Sequence, residues 1–172
     1  MNQLIFHFLA TECNGWPKIK FSINNSTILD HEFVSAEEKI VLPMELDPGL
    51  YTLNIERYGK TNDNCKVENN VIVQDQLVTL EEIFIDNVKL PNYIKYSGIF
   101  CFNNSEHPQS VTWGPNGIFK LPIGVPVVDW AIKEKINRSN PVMNLFVPLP
   151  EDRARFVKNL DAFKQELANV KV

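Results

Sequence analysis

Alternation of apolar and polar residues, broken at short intervals by turn-forming residues, runs through the first 90 residues and leaves few folds open. Ile19, Phe21 and Ile23 alternate with Lys18, Lys20, Ser22 and Asn24. A side-chain period of two puts the apolar set on one face of a strand and the polar set in water. Asn24-Asn25-Ser26 then supplies turn chemistry, and Ile28 to Phe33 returns as a second strand. Residues 3–10 read as a buried strand. Glu38 to Met44 reads as a short one stopped by Pro43. In Asp47-Pro48-Gly49 the proline presets φ and the glycine supplies the positive-φ position of a turn. Tyr51, Leu53 and Ile55 then face one way, with Thr52, Asn54 and Glu56 facing the other.

The pattern continues with interruptions. Residues 59–70 form a polar loop, and Val71 to Val88 is a long β-rich stretch with Val78, Leu80, Ile83 and Ile85 inward. Glu81 and Glu82 break its alternation, which a β-bulge restores. From 91 to 115 no period holds, and Tyr93, Tyr96, Phe100, Phe102 and Trp113 are scattered through an irregular, loop-rich arm. Phe119, Leu121 and Ile123 mark one more strand, and Val127 to Trp130 close the compact region. In the tail, Phe156, Leu160, Phe163 and Leu167 fall at i, i+4, i+7 and i+11 on one helical stripe, with Glu151 and Asp152 suited to the first-turn dipole. Seven or eight short strands spaced by turns predict an all-β class, a jelly-roll β-sandwich over 1–132 with its irregular arm at 91–115. A linker and a C-terminal amphipathic helix follow over 133–172.

Composition narrows the function classes. Nineteen of the 172 residues are Asn, paired at 24–25, 69–70 and 103–104, a residue that tolerates positive φ in turns. A net charge of −4 argues against a nucleic-acid partner, since phosphate binding relies on basic surface. No apolar run reaches the length of about 18 residues that a membrane span requires. Residues 4–10 before Cys13 lack the basic flank of an export signal. Cys13, Cys65 and Cys101 are odd in number without Cys-x-x-Cys spacing, which fits free thiols made in a reducing cytoplasm.

Residues that carry chemistry are sparse. His7, His31 and His107 share no sequence motif with a Ser or Cys nucleophile. Gly59-Lys60-Thr61 lacks the upstream glycine of a phosphate-binding loop and follows a strand, so Lys60 reads as a solvated turn residue. Glu37-Glu38, Glu81-Glu82 and Glu151-Asp152 read as solvated charge, because neighbours in a strand point to opposite faces. Asn62-Asp63-Asn64 with Asp75 offers the oxygen ligands calcium prefers. Trp16, Trp113 and Trp130 are candidates for stacking on sugar rings or, more simply, for the core.

Two resemblances follow from these stretches. Cys13-Asn14-Gly15-Trp16-Pro17-Lys18-Ile19 leading into a strand, then Thr61-Asn62-Asp63, Asp75 and Val78 to Val88, resembles calcium-dependent xylan-binding modules over residues 3–90. Gln76 stands where that pattern has Arg. The resemblance implies a jelly roll, with calcium as the one implied cofactor and host surface glycan as the ligand. Tyr58-Gly59-Lys60-Thr61-Asn62, Trp113 to Phe119 and Ile123 to Trp130 resemble small virion structural proteins of marine tailed phages, cyanophages especially, over residues 50–130. That implies a non-enzymatic capsid, neck or tail accessory component, synthesised in a bacterial cytoplasm and residing in the virion. Its partners would be other virion proteins in a homo-oligomeric or symmetric assembly, contacted through Phe156, Leu160, Phe163 and Leu167. No catalytic residue, membrane or nucleic acid enters either picture.

Overall fold

The period-two stretches become strands of two antiparallel sheets that share one core. The computed structural model describes residues 2–24, 26–85 and 88–139. Its strands are β1 (Asn2–Ala10), β2 (Lys18–Ile23), β3 (Ser26–Glu32), β4 (Glu37–Met44), β5 (Gly49–Tyr58), β6 (Cys65–Glu68) and β7 (Val71–Asp75). There follow β8 (Val78–Ile85), β9 (Val88–Lys89), β10 (Ile99–Phe102), β11 (Ser105–Pro108), β12 (Thr112–Trp113) and β13 (Gly117–Val125), with helices α1 (Asn92–Lys95) and α2 (Val127–Ser139). One sheet has the order β12-β8-β1-β4 with β9 on β8, the other β11-β10-β13-β5-β2-β3. The chain passes back and forth between them, so the expected all-β jelly-roll sandwich is the fold.

Inward-facing residues of both sheets interlock. Leu4, Phe6, Phe8, Leu80 and Ile83 from one sheet meet Ile19, Phe21, Leu53, Ile55, Phe119 and Leu121 from the other. Trp113 is fully buried between them, 6.2 Å from Phe8, 5.7 Å from Phe100 and 4.9 Å from Phe119 by ring centroids. Burying each such ring contributes about 2–3 kcal/mol, the main force holding the sheets face to face. The bulge expected at the paired glutamates is present. Phe8 pairs with Leu80 and His7 with Glu82, so Glu81 is the extra residue and both Leu80 and Ile83 stay inside.

Other expectations change in detail. The loop-rich stretch 91–115 carries α1, β10, β11 and β12, each short and each placed against a sheet, because Ile94, Phe100 and Trp113 are drawn into the core. Residues 59–70 contain a 3-10 turn at Asn62–Asn64 and the strand β6. The long stretch 71–88 divides into β7, β8 and β9, and β7 belongs to neither main sheet. Residues 133–139, assigned to a linker by their sequence, continue α2, whose Val127, Trp130, Ala131 and Ile132 are buried. Gly124 admits this helix at close range. A Cβ there would lie 2.6 Å from Trp130. The amphipathic helix expected after Pro150, with Phe156, Leu160, Phe163 and Leu167, lies outside the described residues.

Candidate functional site

The end of β5 departs from the apolar core pattern. Period two continues from Leu53 and Ile55 to position 57, and the residue that arrives inside is Arg57, fully buried. Its Nη2 donates to the Gln76 carbonyl at 2.9 Å and to Gln76 Oε1 at 3.0 Å, and its Nη1 to Asn116 Oδ1 at 3.2 Å. Burial pulls the guanidinium down to about 10, against the pull of Asp75 in the other direction. It remains charged at neutral pH.

Lys60 completes this polar knot. Its ammonium donates to the Asp75 carboxylate, to the Gly114 carbonyl at 3.0 Å and to the Gln76 carbonyl at 3.3 Å. The Lys60 and Asp75 side chains are only 13% and 18% exposed, so Lys60 is a buried tie and not the solvated turn residue its motif suggested. One cation thus joins the β5–β6 loop, the β7–β8 junction and the β12–β13 turn. Asn64 fastens the same end, donating from Nδ2 to the carbonyls of Cys13 and Asn14 at 3.0 Å each.

This geometry bears directly on calcium. The Asp75 carboxylate is already paired with Lys60, and Asn64 Oδ1 accepts from the Thr61 backbone amide at 2.9 Å. Among the described residues no group of three His, Cys, Asp or Glu side chains is placed to hold a metal ion. Of the oxygen-ligand set read from Asn62-Asp63-Asn64 and Asp75, two members, Asn64 and Asp75, are thus already engaged as folded. A divalent ion would have to displace an ammonium.

Beside the knot a cleft of about 610 Å³ opens on the outer face of the six-stranded sheet. The register sets Glu56, Ile118, Cys101 and Glu106 in one row across β5, β13, β10 and β11. Three strand spacings make that row roughly 14 Å long between its terminal carboxylates. Tyr58 forms one wall. Its hydroxyl donates to Asp30, and that bond, with burial and the nearby Asp30, Glu32 and Glu56 carboxylates, pushes it up to about 12. Lys120 lines the cleft from β13, and Asn103, Asn104 and Ser105 line it from the β10–β11 turn. Both asparagines have positive φ, 49° and 59°, as a two-residue type I′ hairpin requires. Gly117 is needed at the floor, where a Cβ would lie 2.6 Å from the Cys101 carbonyl.

The other residues singled out by sequence are occupied elsewhere. Trp113 and Trp130 are buried and Trp16 packs against the core, so none of the three is an open stacking platform. His7 bonds Glu37 at 2.8 Å, His31 bonds Glu38 at 2.7 Å, and His107 stacks on Phe102 at 4.5 Å. The cysteines are unpaired thiols. No helix among the described residues is long and apolar enough to cross a membrane. Arg57 was the omission with a visible signal, since the alternation of β5 already pointed it inward. The cleft had none, because its residues come from four strands and a turn that only the register aligns.

No family model and no curated protein matches the sequence. Among solved structures, vCBM60 in complex with galactobiose overlays with a TM-score of 0.48 at 10% identity, covering 69% of this chain and 96% of that one. A selenomethionine form of vCBM60, described with two families of calcium-dependent carbohydrate-binding modules linked by circular permutation, gives 0.49 at 11%, covering 70% and 90%.

Proposed function

We propose that this chain is a non-catalytic binding module for a neutral oligosaccharide, taken along the cleft on the outer face of the six-stranded sheet. The observation that carries the reading is the lining itself. Asn103, Asn104, Ser105, Glu106 and Lys120 border the cleft, and none of their side chains has a hydrogen-bond partner among the described residues. Amides and hydroxyls each donate and accept, and carboxylates accept twice, which matches ligand hydroxyls that do both. The Glu56 and Glu106 carboxylates at the ends of the row disfavour a polyanion, and its length suits several sugar rings in preference to one. The particle-assembly role implied by the phage resemblance, with its virion location, rests on contacts from the arm 91–115 and from Phe156, Leu160, Phe163 and Leu167, the last four outside the described residues.

The test is retention on neutral polysaccharides, measured by affinity electrophoresis and calorimetry with calcium and with a chelator. Binding is expected under both conditions, because Lys60 already supplies the cation at Asp75. Combining Glu106→Gln with Lys120→Ala should weaken it about tenfold or more, the loss of two polar contacts, with the unfolding temperature unchanged. A chain that binds no polysaccharide in either condition overturns the reading.

A further inference from the structure

Strands β6 and β7 form a two-stranded ribbon bonded to neither main sheet. The turn at its tip, Asn69-Asn70, has φ of 51° and 62° and closes a tight hairpin. Polar bonds hold its base, from Thr11 Oγ1 to the Asp75 carbonyl and from Gln74 Nε2 to the Glu12 carbonyl. Beyond the base the ribbon is apolar and in water. Val67, Val71, Ile72 and Val73 are 56%, 61%, 61% and 50% exposed. Three of these are consecutive, so apolar groups occupy both ribbon faces. Edge strands of this kind are usually guarded by charge or proline, and exposed apolar patches mark contact sites.

The charges on β6 say what fits beside it. Lys66 and Glu68 flank Val67, point to the ribbon face opposite to it and pair with each other in water at 3.0 Å, a pair that a neighbouring strand can exchange for one across the seam. Val67 pairs with Ile72 across the ribbon, and no strand lies along the outer edge of β6 among the described residues. A second copy laid antiparallel along that edge, about a two-fold axis through Val67, sets each Lys66 against the partner subunit's Glu68. The same operation extends the Ile72–Val67 pair into an apolar stripe over four strands. A parallel arrangement would instead set lysine against lysine, which is unfavourable.

We infer that the outer edge of β6 is a homodimer contact, two copies joining antiparallel about Val67 into a four-stranded sheet. Strand addition supplies main-chain bonds, the valine stripe supplies burial, and the Lys66–Glu68 pairs fix direction and register. The contact lies apart from the ligand cleft and is independent of it.

Sedimentation and light scattering of the full chain over about 1–200 µM test this, a range in which such a contact shows reversible association. Concentration-dependent dimerisation is expected. Lys66→Glu should weaken it about tenfold by placing four carboxylates along the seam, and Lys66→Glu combined with Glu68→Lys should restore it. Val67→Lys should abolish it. All these positions are exposed, so far-ultraviolet circular dichroism should not change. A chain that stays monomeric throughout overturns the inference. So does a dimer indifferent to Val67→Lys, or one in which the single and double charge variants behave alike.

Discussion

Glu38 sits at the head of β4 and accepts hydrogen bonds from the backbone amides of Val34 at 2.5 Å and Ser35 at 2.8 Å, and bonds His31 Nε2 at 2.7 Å. Burial alone would raise its pKa, but these bonds outweigh burial and hold the carboxyl below its ordinary value. A carboxylate depressed by folding stabilises the native state above the unfolded-chain pKa, and that contribution is lost as pH falls through the lowered value. Glu38→Gln should therefore cost about 1–2 kcal/mol at neutral pH and flatten the fall in stability as pH drops below the ordinary carboxylate range. Urea midpoints across that range measure it, and an unchanged acid limb would show that the charge is idle. None of this was legible in Glu37-Glu38 as a string. A carboxylate that ties a turn looks the same in sequence as a solvated one, and the difference lies in which backbone amides the fold leaves without partners.

Asparagine turns were the most legible elements, because their chemistry is local, whereas Gly49, expected at a positive-φ turn position, has no positive φ and begins β5. Seven described non-glycine residues have positive φ and six are asparagines: 14, 24, 69, 70, 103 and 104. The surplus of Asn thus has a structural use in two-residue hairpins, whatever set the overall composition. Asn103→Gly should leave stability nearly unchanged, whereas Asn103→Val, β-branched at a φ of 49°, should cost about 1–2 kcal/mol. Because Asn103 also borders the cleft, the valine variant should lose ligand affinity along with stability. Guanidinium unfolding of both variants beside their binding curves decides this, and equal stability of the two would refute the turn assignment. The Glu81 bulge was legible for a similar reason, as a one-residue interruption of a strong period. The β6–β7 ribbon was not. Its Val71-Ile72-Val73 run resembles any strand interior, and only pairing shows that both of its faces miss the core.

At the scale of the molecule, the two sheets depend on each other through a small set of rings, and Trp113 is central among them. It belongs to β12, only two residues long and at the margin of its sheet, yet it reaches Phe100 and Phe119 of the opposite sheet. Its Nε1 donates to the Ser110 carbonyl at 2.9 Å, so its one polar atom is satisfied within the core. Its large apolar ring made the core the simpler reading, but an aperiodic stretch gives no sign of which rings it meets. Its burial follows from β12 pairing with β8, a partner more than 30 positions away. Trp113→Ala removes a fully buried indole and should cost about 3–5 kcal/mol. That is a large share of the roughly 5–15 kcal/mol available to a domain. Trp113→Phe keeps a ring between the sheets and should cost about half as much. If one core holds both sheets, tryptophan fluorescence and far-ultraviolet circular dichroism should report a single coincident transition in all three proteins, shifted along the denaturant axis at constant slope. Two separated transitions in Trp113→Ala would mean that each sheet, with its own apolar face, is stable without the other.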